Sequence, residues 1–288
     1  MFQETVELAA KKAVEKRALL SSSLPRYLFA AGLAGVYVGL GIILIFSIGA
    51  PLAAGGSAVT SLVMGLSFGI ALTLVVFAGA ELFTGNNMYF TVATLGRYTT
   101  WKDTLRNWFW CYSGNLLGAL FFCLLIVGTG LFDGIKPDHL LFVIAAKKMH
   151  LTFGEAFFRG ILCNWLVCLA LWTSMRAKED TAKLILIFWM LFAFIASGYE
   201  HSIANMTVLS LSLLLKHPDT VTLAGWFQNL IPVTLGNIVG GAFFVGTIYW
   251  LISPAKNPNA PSKPQQPETS PSTAANGGAA SAPLAGSS

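Results

Sequence analysis

The chain has 288 residues, of which 55% are hydrophobic and only 11% charged, with a mean hydropathy of +0.66 and a formal net charge of +5. Soluble domains carry about a quarter charged residues, so this composition excludes an ordinary soluble enzyme. The basic excess follows from membrane topology, and no nucleic-acid partner is expected.

Residues 1–25 set Phe2, Val6, Ala9, Ala10, Ala13, Leu19 and Leu20 between charges at helical spacing, which predicts an amphipathic helix lying along the membrane interface. These residues mix Glu4, Glu7 and Glu15 with Lys11, Lys12, Lys16 and Arg17 and lack the short apolar core of a signal peptide, so the N-terminus is expected to stay cytoplasmic. From Arg26 to Glu81 no charged residue occurs, and four more uncharged runs follow: Arg106 to Asp133, Arg159 to Arg176, Lys183 to Glu200 and Asp219 to Lys256. A crossing takes about 20 residues. The first run holds two, with a turn at Gly49-Ala50-Pro51 and Gly55-Gly56, and the others hold one each. The predicted spans are 28–48, 59–83, 105–131, 154–175, 184–215 and 226–252, within a channel domain at 26–253. An even number of spans puts both termini on one side, and 13 of the 18 Lys and Arg residues then lie on the cytoplasmic side. After Ser253 the chain turns to Pro, Ser, Ala, Gly and Gln, and 254–288 is expected to be a disordered cytoplasmic tail.

The third span reads Gly114-Asn115-x-x-Gly118 followed by Phe121-Phe122, and the sixth reads Gly236-Asn237-x-x-Gly240 followed by Phe243-Phe244. Upstream of these lie Gly79-x-Glu81 with Asn87-Met88, and Gly198-x-Glu200 with Asn205-Met206. The chain therefore reads as two repeats of three spans, and an odd number of spans per repeat inverts the second copy in the membrane. Inverted repeats place a site near the midplane where interrupted helices meet. Glu81 to Asn87 in the second span and Ser197 to Ser202 in the fifth are the expected interruptions. The Gly-xxx-Gly pairs, including Gly35/Gly39, are read as close helix packing.

Among ionisable groups, His201 stands out: an imidazole among apolar residues at membrane depth is a functional-site candidate, and it exchanges protons near physiological pH. Thr84 lies at the matching break and can face it across the pathway. Glu81 and Glu200 are repeat-equivalent, and each needs a donor, expected to be the free amides at a half-helix N-terminus. Asn164 is a lone amide in the fourth span. Lys147, Lys148 and His150 precede that span and read as solvated charge. Cys111, Cys123, Cys163 and Cys168 fall inside spans without metal-ligand spacing and read as buried small hydrophobes. Nucleotide-binding, metalloprotease and nucleophile-elbow patterns are lacking, so no cofactor and no metal are expected. Two functional classes stay open on these residues: a channel or secondary transporter for a small solute, and an intramembrane enzyme or redox subunit using His201 with Glu200.

Glu81-Leu82-Phe83-Thr84-Gly85, Cys163-Asn164-Trp165-Leu166-Val167-Cys168-Leu169-Ala170 and the run Ala196 to Met206 closely resemble the formate/nitrite transporter family over residues 5–253. Gly35 to Phe46 and Asn164-Trp165-Leu166-Val167 look most like its nitrite channel of enteric bacteria, with Asn86-Asn87 a departure. The resemblance implies an all-α, aquaporin-like protomer in a homopentamer, with one pore per protomer moving nitrite or another small monovalent anion across the bacterial inner membrane. It implies His201 bonded to Thr84 as a proton relay, and a constriction at Phe68, Leu72, Leu82, Phe83, Val167 and Phe194. It also implies anion attraction by Lys148 with Asn164 as its amide partner, polar groups at the helix breaks in Glu81, Glu200 and Asn205, and an N-terminal helix that influences the mobile broken segment.

Overall fold

The computed structural model describes residues 2–253, so the expected tail at 254–288 lies outside the described residues. The described chain is helical between its connections. Helix α1 (Gln3–Ser22) precedes α2 (Leu24–Ala54), whose start is set by Pro25 and by the Ser23 side chain accepting from Arg26 N–H. Next comes α3 (Thr60–Gly79), interrupted at Phe68–Gly69 and finishing in a π turn, and then α4 (Phe83–Leu95). Helix α5 (Trp101–Gly128) opens on a Thr100/Asp103 capping box, α6 (Leu140–Met149) follows, and α7 (Phe153–Arg176) opens on the equivalent Thr152/Glu155 box. Helices α8 (Asp180–Ala196), α9 (Ser202–Leu214) and α10 (Leu223–Leu251) complete the order.

Among the described residues, five helices are long and apolar enough to cross a membrane: α2, α3, α5, α7 and α10. The fifth stretch read from the sequence, 184–215, is divided between α8 and α9 by residues 197–201. The second stretch also differs from expectation. The chain leaves helical geometry at Ala80 and Leu82, which are extended, and resumes it at Phe83, so Thr84, Gly85, Asn86 and Asn87 lie inside α4 rather than breaking it. The segment beyond residue 83, read as a connection, is a helix whose residues Phe83 to Ala93 are all buried. In α9 the run Ser202 to Ser212 is likewise buried. A helix surrounded by protein needs no polar face, which is why helical periodicity is faint in both.

One order of elements occurs twice. A long helix, a helix ending at a break, a short buried helix and a second long helix appear as α2, α3, α4, α5 and again as α7, α8, α9, α10. Within each half the long helices pair through glycine. A methyl group at Gly118 would strike the Gly32 carbonyl, and one at Gly35 the Asn115 carbonyl; in the second half Gly236 faces the Phe157 carbonyl and Gly240 the Ile161 carbonyl in the same way. Backbones this close gain dispersion contacts that lipid tails cannot supply. The halves interlock because α4 packs on α7 and α10, while α9 packs on α2 and α5. Helix α1 presents Thr5, Ala9, Ala10, Ala13 and Leu20 inward and packs on α4, with the Arg17 guanidinium 3.4 Å from Asp103. Large apolar side chains such as Phe29, Leu105, Phe109 and Leu117 are exposed, the reverse of a soluble surface.

Because the α2–α5 contact is backbone on backbone, Gly118→Leu forces the pair apart. We expect a loss of about 1–3 kcal/mol, read as a lower unfolding temperature and less monodisperse protein, whereas Gly128→Ala, with no neighbour within 4 Å of the added carbon, leaves both unchanged.

Candidate functional site

Each break turns on a glycine in the left-handed region, Gly79 at φ +85° and Gly198 at φ +70°, where a side chain would be strained. The freed backbone groups are then held by one asparagine per half. Asn115 accepts the Phe83 N–H (3.0 Å) through Oδ1 and donates through Nδ2 to the Ala31 and Glu81 carbonyls (both 2.8 Å). Asn237 accepts the Ser202 N–H (2.8 Å) and donates to the Gly160 (2.8 Å) and Glu200 (2.9 Å) carbonyls. The Glu81 N–H donates to Ala30 (3.0 Å) and the Glu200 N–H to Arg159 (3.3 Å), so both extended segments are tied to the neighbouring long helix. The asparagines of the repeated Gly-Asn-x-x-Gly pattern are therefore clamps on the breaks, a role that reading the motif as glycine packing misses.

The two carboxylates are matched as the repeat predicts, but their donors are side chains. Glu81 takes the Lys16 ammonium at 2.7 Å and the Asn86 amide at 3.2 Å, with the Tyr27 hydroxyl at 3.5 Å. Glu200 takes Lys148 at 2.8 Å, Asn205 at 2.6 Å and Asn229 at 3.4 Å. The half-helix amides expected to serve them include those of Phe83 and Ser202, which the clamping asparagines occupy. Asn86 is the counterpart of Asn205, each five residues beyond its glutamate and each bonded to a second amide, Asn107 (3.1 Å) and Asn229 (2.8 Å). This corrects the pairing of Asn87 with Asn205 by one residue. Lys16 escaped sequence reasoning because it lies among solvated charges on α1 and its partner is 65 residues away; the unpaired Glu81 was the available signal.

Between these poles stands His201. Its Nδ1 accepts the Ala204 N–H at 3.2 Å, capping α9, and its Nε2 lies 3.0 Å from Thr84 Oγ1. A ring nitrogen that accepts carries no proton, so in the neutral ring Nε2 bears the hydrogen and donates to Thr84, leaving the Thr84 hydroxyl hydrogen available to a further acceptor. Thr84 is fully buried and His201 is 4% exposed. A cavity of about 620 Å³ bordered by Lys16, Glu81, Leu82 and Gly85 approaches Thr84 from the α1 side. A second, of about 610 Å³, is bordered by Lys148, Phe194, Glu200 and His201. Thr84 is thus one residue from Gly85 on the border of the first cavity, and its bonded partner His201 borders the second.

The remaining candidates fall in two groups. Phe68 meets Phe194 edge to face at 5.6 Å, and Phe194 lies 5.9 Å from the His201 ring. Phe68, Leu72, Leu82, Phe83, Val167 and Phe194 are all at most 4% exposed; of these Leu82 borders the first cavity and Phe194 the second, while Phe83 turns to Tyr112 on α5 at 5.0 Å. Asn164 is not beside Lys148. It is fully buried, and its Nδ2 donates to the carbonyls of Thr84 (3.1 Å) and Asn237 (2.6 Å) and to Asn87 Oδ1 (3.2 Å), so it braces both breaks from within. A sequence pattern carries no sign of which way a lone amide on a helix faces.

Glu200 is 4% and Lys148 17% exposed at the side chain, so removing one partner strands a buried charge. Lys148→Met is expected to cost about 3–5 kcal/mol in denaturant unfolding, and adding Glu200→Gln should recover most of that loss; additive losses in the double variant would show that the pair is uncoupled.

Comparison with known proteins places this architecture. A sequence profile of the formate/nitrite transporter family matches residues 3–251. The nitrite transporter NirC of Salmonella typhimurium is 43% identical over 274 residues, spanning 93% of this chain and 98% of that protein. Among solved structures, an FNT family ion channel superposes with a TM-score of 0.84 at 42% identity, covering 88% of this chain and 100% of that one. A pentameric formate channel with formate bound superposes at 0.68 and 32% identity, covering 80% and 98%. These relatives are transporters and channels, so the protein is a membrane transport protein rather than an enzyme. The chain belongs to the formate/nitrite transporter family.

Proposed function

We propose that this protein is a nitrite channel of the bacterial inner membrane in which the anion crosses the constriction with a proton. The observation that carries the reading is the Thr84–His201 hydrogen bond placed between two cavities that each contain a Lys–Glu pair. The likeness to NirC supports nitrite, and the likeness to a formate channel makes formate the second substrate to test. That channel's pentameric state supports a homopentamer with one pore in each protomer.

In this reading the two halves are inverted three-span repeats, with α3–α4 and α8–α9 as the broken second and fifth spans. The α1 side faces the cytoplasm, where the basic residues concentrate, and α1 lies along that face. The Lys148 cavity then opens outward. The net positive border of that cavity, Lys147, Lys148 and Arg159 against Glu200, draws the anion in; Phe68, Leu72, Leu82, Phe83, Val167 and Phe194 form apolar surroundings that a bare anion crosses only at high cost. Neutral nitrous acid avoids that cost.

The resting hydrogen bonds of His201 support one order of proton movement. The resting ring offers Nε2–H to Thr84, and a proton added at Nδ1 displaces the Ala204 N–H. The resulting imidazolium releases its Nε2 proton to the Thr84 oxygen as the Thr84 hydroxyl proton passes to nitrite. Nitrous acid moves past the constriction and ionises in the inner cavity, releasing the proton there. The neutral ring, now protonated at Nδ1, returns to the capped tautomer by exchange with solvent. Asn164, Asn115 and Asn237 hold Thr84 and His201 in register.

The test is uptake into proteoliposomes. Nitrite flux should accelerate as external pH falls, and His201→Phe and Thr84→Ala should each lower the proton-linked flux on the order of 10²-fold while assembly is kept. Undiminished proton-linked flux in His201→Phe removes the imidazole from the mechanism, and equal flux of formate widens the substrate to small weak acids.

A further inference from the structure

The paired charges at the two ends of the pathway are balanced: Lys16 is neutralised by Glu81 and Lys148 by Glu200. What differs between the halves is the residue whose carbonyl receives the glutamate N–H. In the first half it is Ala30, and in the second it is Arg159. Both border their respective cavities, so the repeat places an arginine in the second cavity where the first has a methyl group. The Arg159 side chain is half-buried and has no hydrogen bond or ion pair among the described residues. Glu155, one turn earlier on α7, feels its charge, but that carboxylate is engaged by the Thr152 N–H (2.9 Å) and hydroxyl (2.8 Å). The other charged groups bordering the cavity are Lys147 and the Lys148–Glu200 pair, so the local balance is positive.

We propose that Arg159 is the capture site for the anion in the second cavity, taking a small planar oxyanion through two parallel N–H···O bonds. A guanidinium is a planar fork matched to two oxygens on one atom, the geometry shared by nitrite and formate, and it discriminates against a spherical anion in a way that an ammonium does not. Its backbone is tied to Glu200, the residue before His201, so an anion held there is already at the approach to the Thr84–His201 pair. Lys148, whose charge is committed to Glu200, keeps that carboxylate in place and adds little net attraction. The first cavity is bordered by lysines, Lys12, Lys16 and Lys183, and by no guanidinium, so capture of a planar oxyanion is stronger from the second side; at equilibrium this changes the concentration range over which each side saturates and not the direction of net transport.

The site rests on the transport reading above, and the test separates the two. In proteoliposomes, R159Q should raise the half-saturating nitrite concentration on the second side about tenfold while changing the maximal rate less than twofold. R159K, which keeps the charge and loses the fork, should recover only part of the affinity, and chloride, which barely competes with nitrite in the unaltered protein, should compete well in it. Unchanged half-saturation in R159Q overturns the Arg159 site with nitrite transport intact. Absence of nitrite flux in the unaltered protein overturns the transport reading instead. Saturation-transfer NMR of formate with the solubilised protein then decides the site: a signal lost in R159Q supports it, and a signal retained in R159Q, or none with the unaltered protein, overturns it.

Discussion

A helix interrupted at membrane depth exposes amides and carbonyls that hydrocarbon cannot satisfy, and each unsatisfied group costs several kcal/mol. In this protein the burden falls on Asn115 and Asn237, whose amides each take up two backbone groups at a break and one carbonyl of the neighbouring long helix. The glycine contacts of α2 with α5 and of α7 with α10 bring those asparagines within reach, because larger residues would hold the helices apart. Close packing, the clamp and the break are therefore one unit, built twice.

The same economy governs charge. A buried carboxylate is tolerated only with a cation and hydrogen-bond donors, and Glu81 and Glu200 each have a lysine and an asparagine. The lysines come from unlike places, α1 in one half and α6 in the other, so the pairing is a convergence on one electrostatic need rather than a copied contact. The halves diverge at three positions of the proposed pathway. His201 occupies the place of Leu82, Ile203 that of Thr84, and Arg159 that of Ala30. Symmetric scaffolding thus supports an asymmetric centre.

Much of this was legible in the sequence because it depends on patterns that membranes impose. Uncharged runs hold the five long apolar helices among the described residues, the Gly-Asn-x-x-Gly repeat exposes the duplication, and the isolated His201 with Thr84 is recovered as a bonded pair. The misreadings share a physical cause: they concern helices or side chains whose surroundings are protein on every side. Helix α4 looks like a connection because it contains Gly85-Asn86-Asn87, yet those asparagines are bonded laterally within a regular helix, Asn86 to Tyr27 and Asn107 and Asn87 to Asn164. Asn164 likewise turns to the interior instead of to Lys148. Periodicity reports which face meets lipid, and it is silent about residues with no such face.

The central claim is that nitrite and a proton cross the constriction together as a neutral species. Simultaneous recording of current and external pH across a bilayer containing the purified channel, during a nitrite gradient at fixed voltage, tests it most directly. Co-movement predicts alkalinisation of the source side that keeps pace with nitrite flux, with almost no current. A current that follows voltage and matches the nitrite flux, without a pH change, would contradict it and leave His201 as a hydrogen-bond donor to a passing anion.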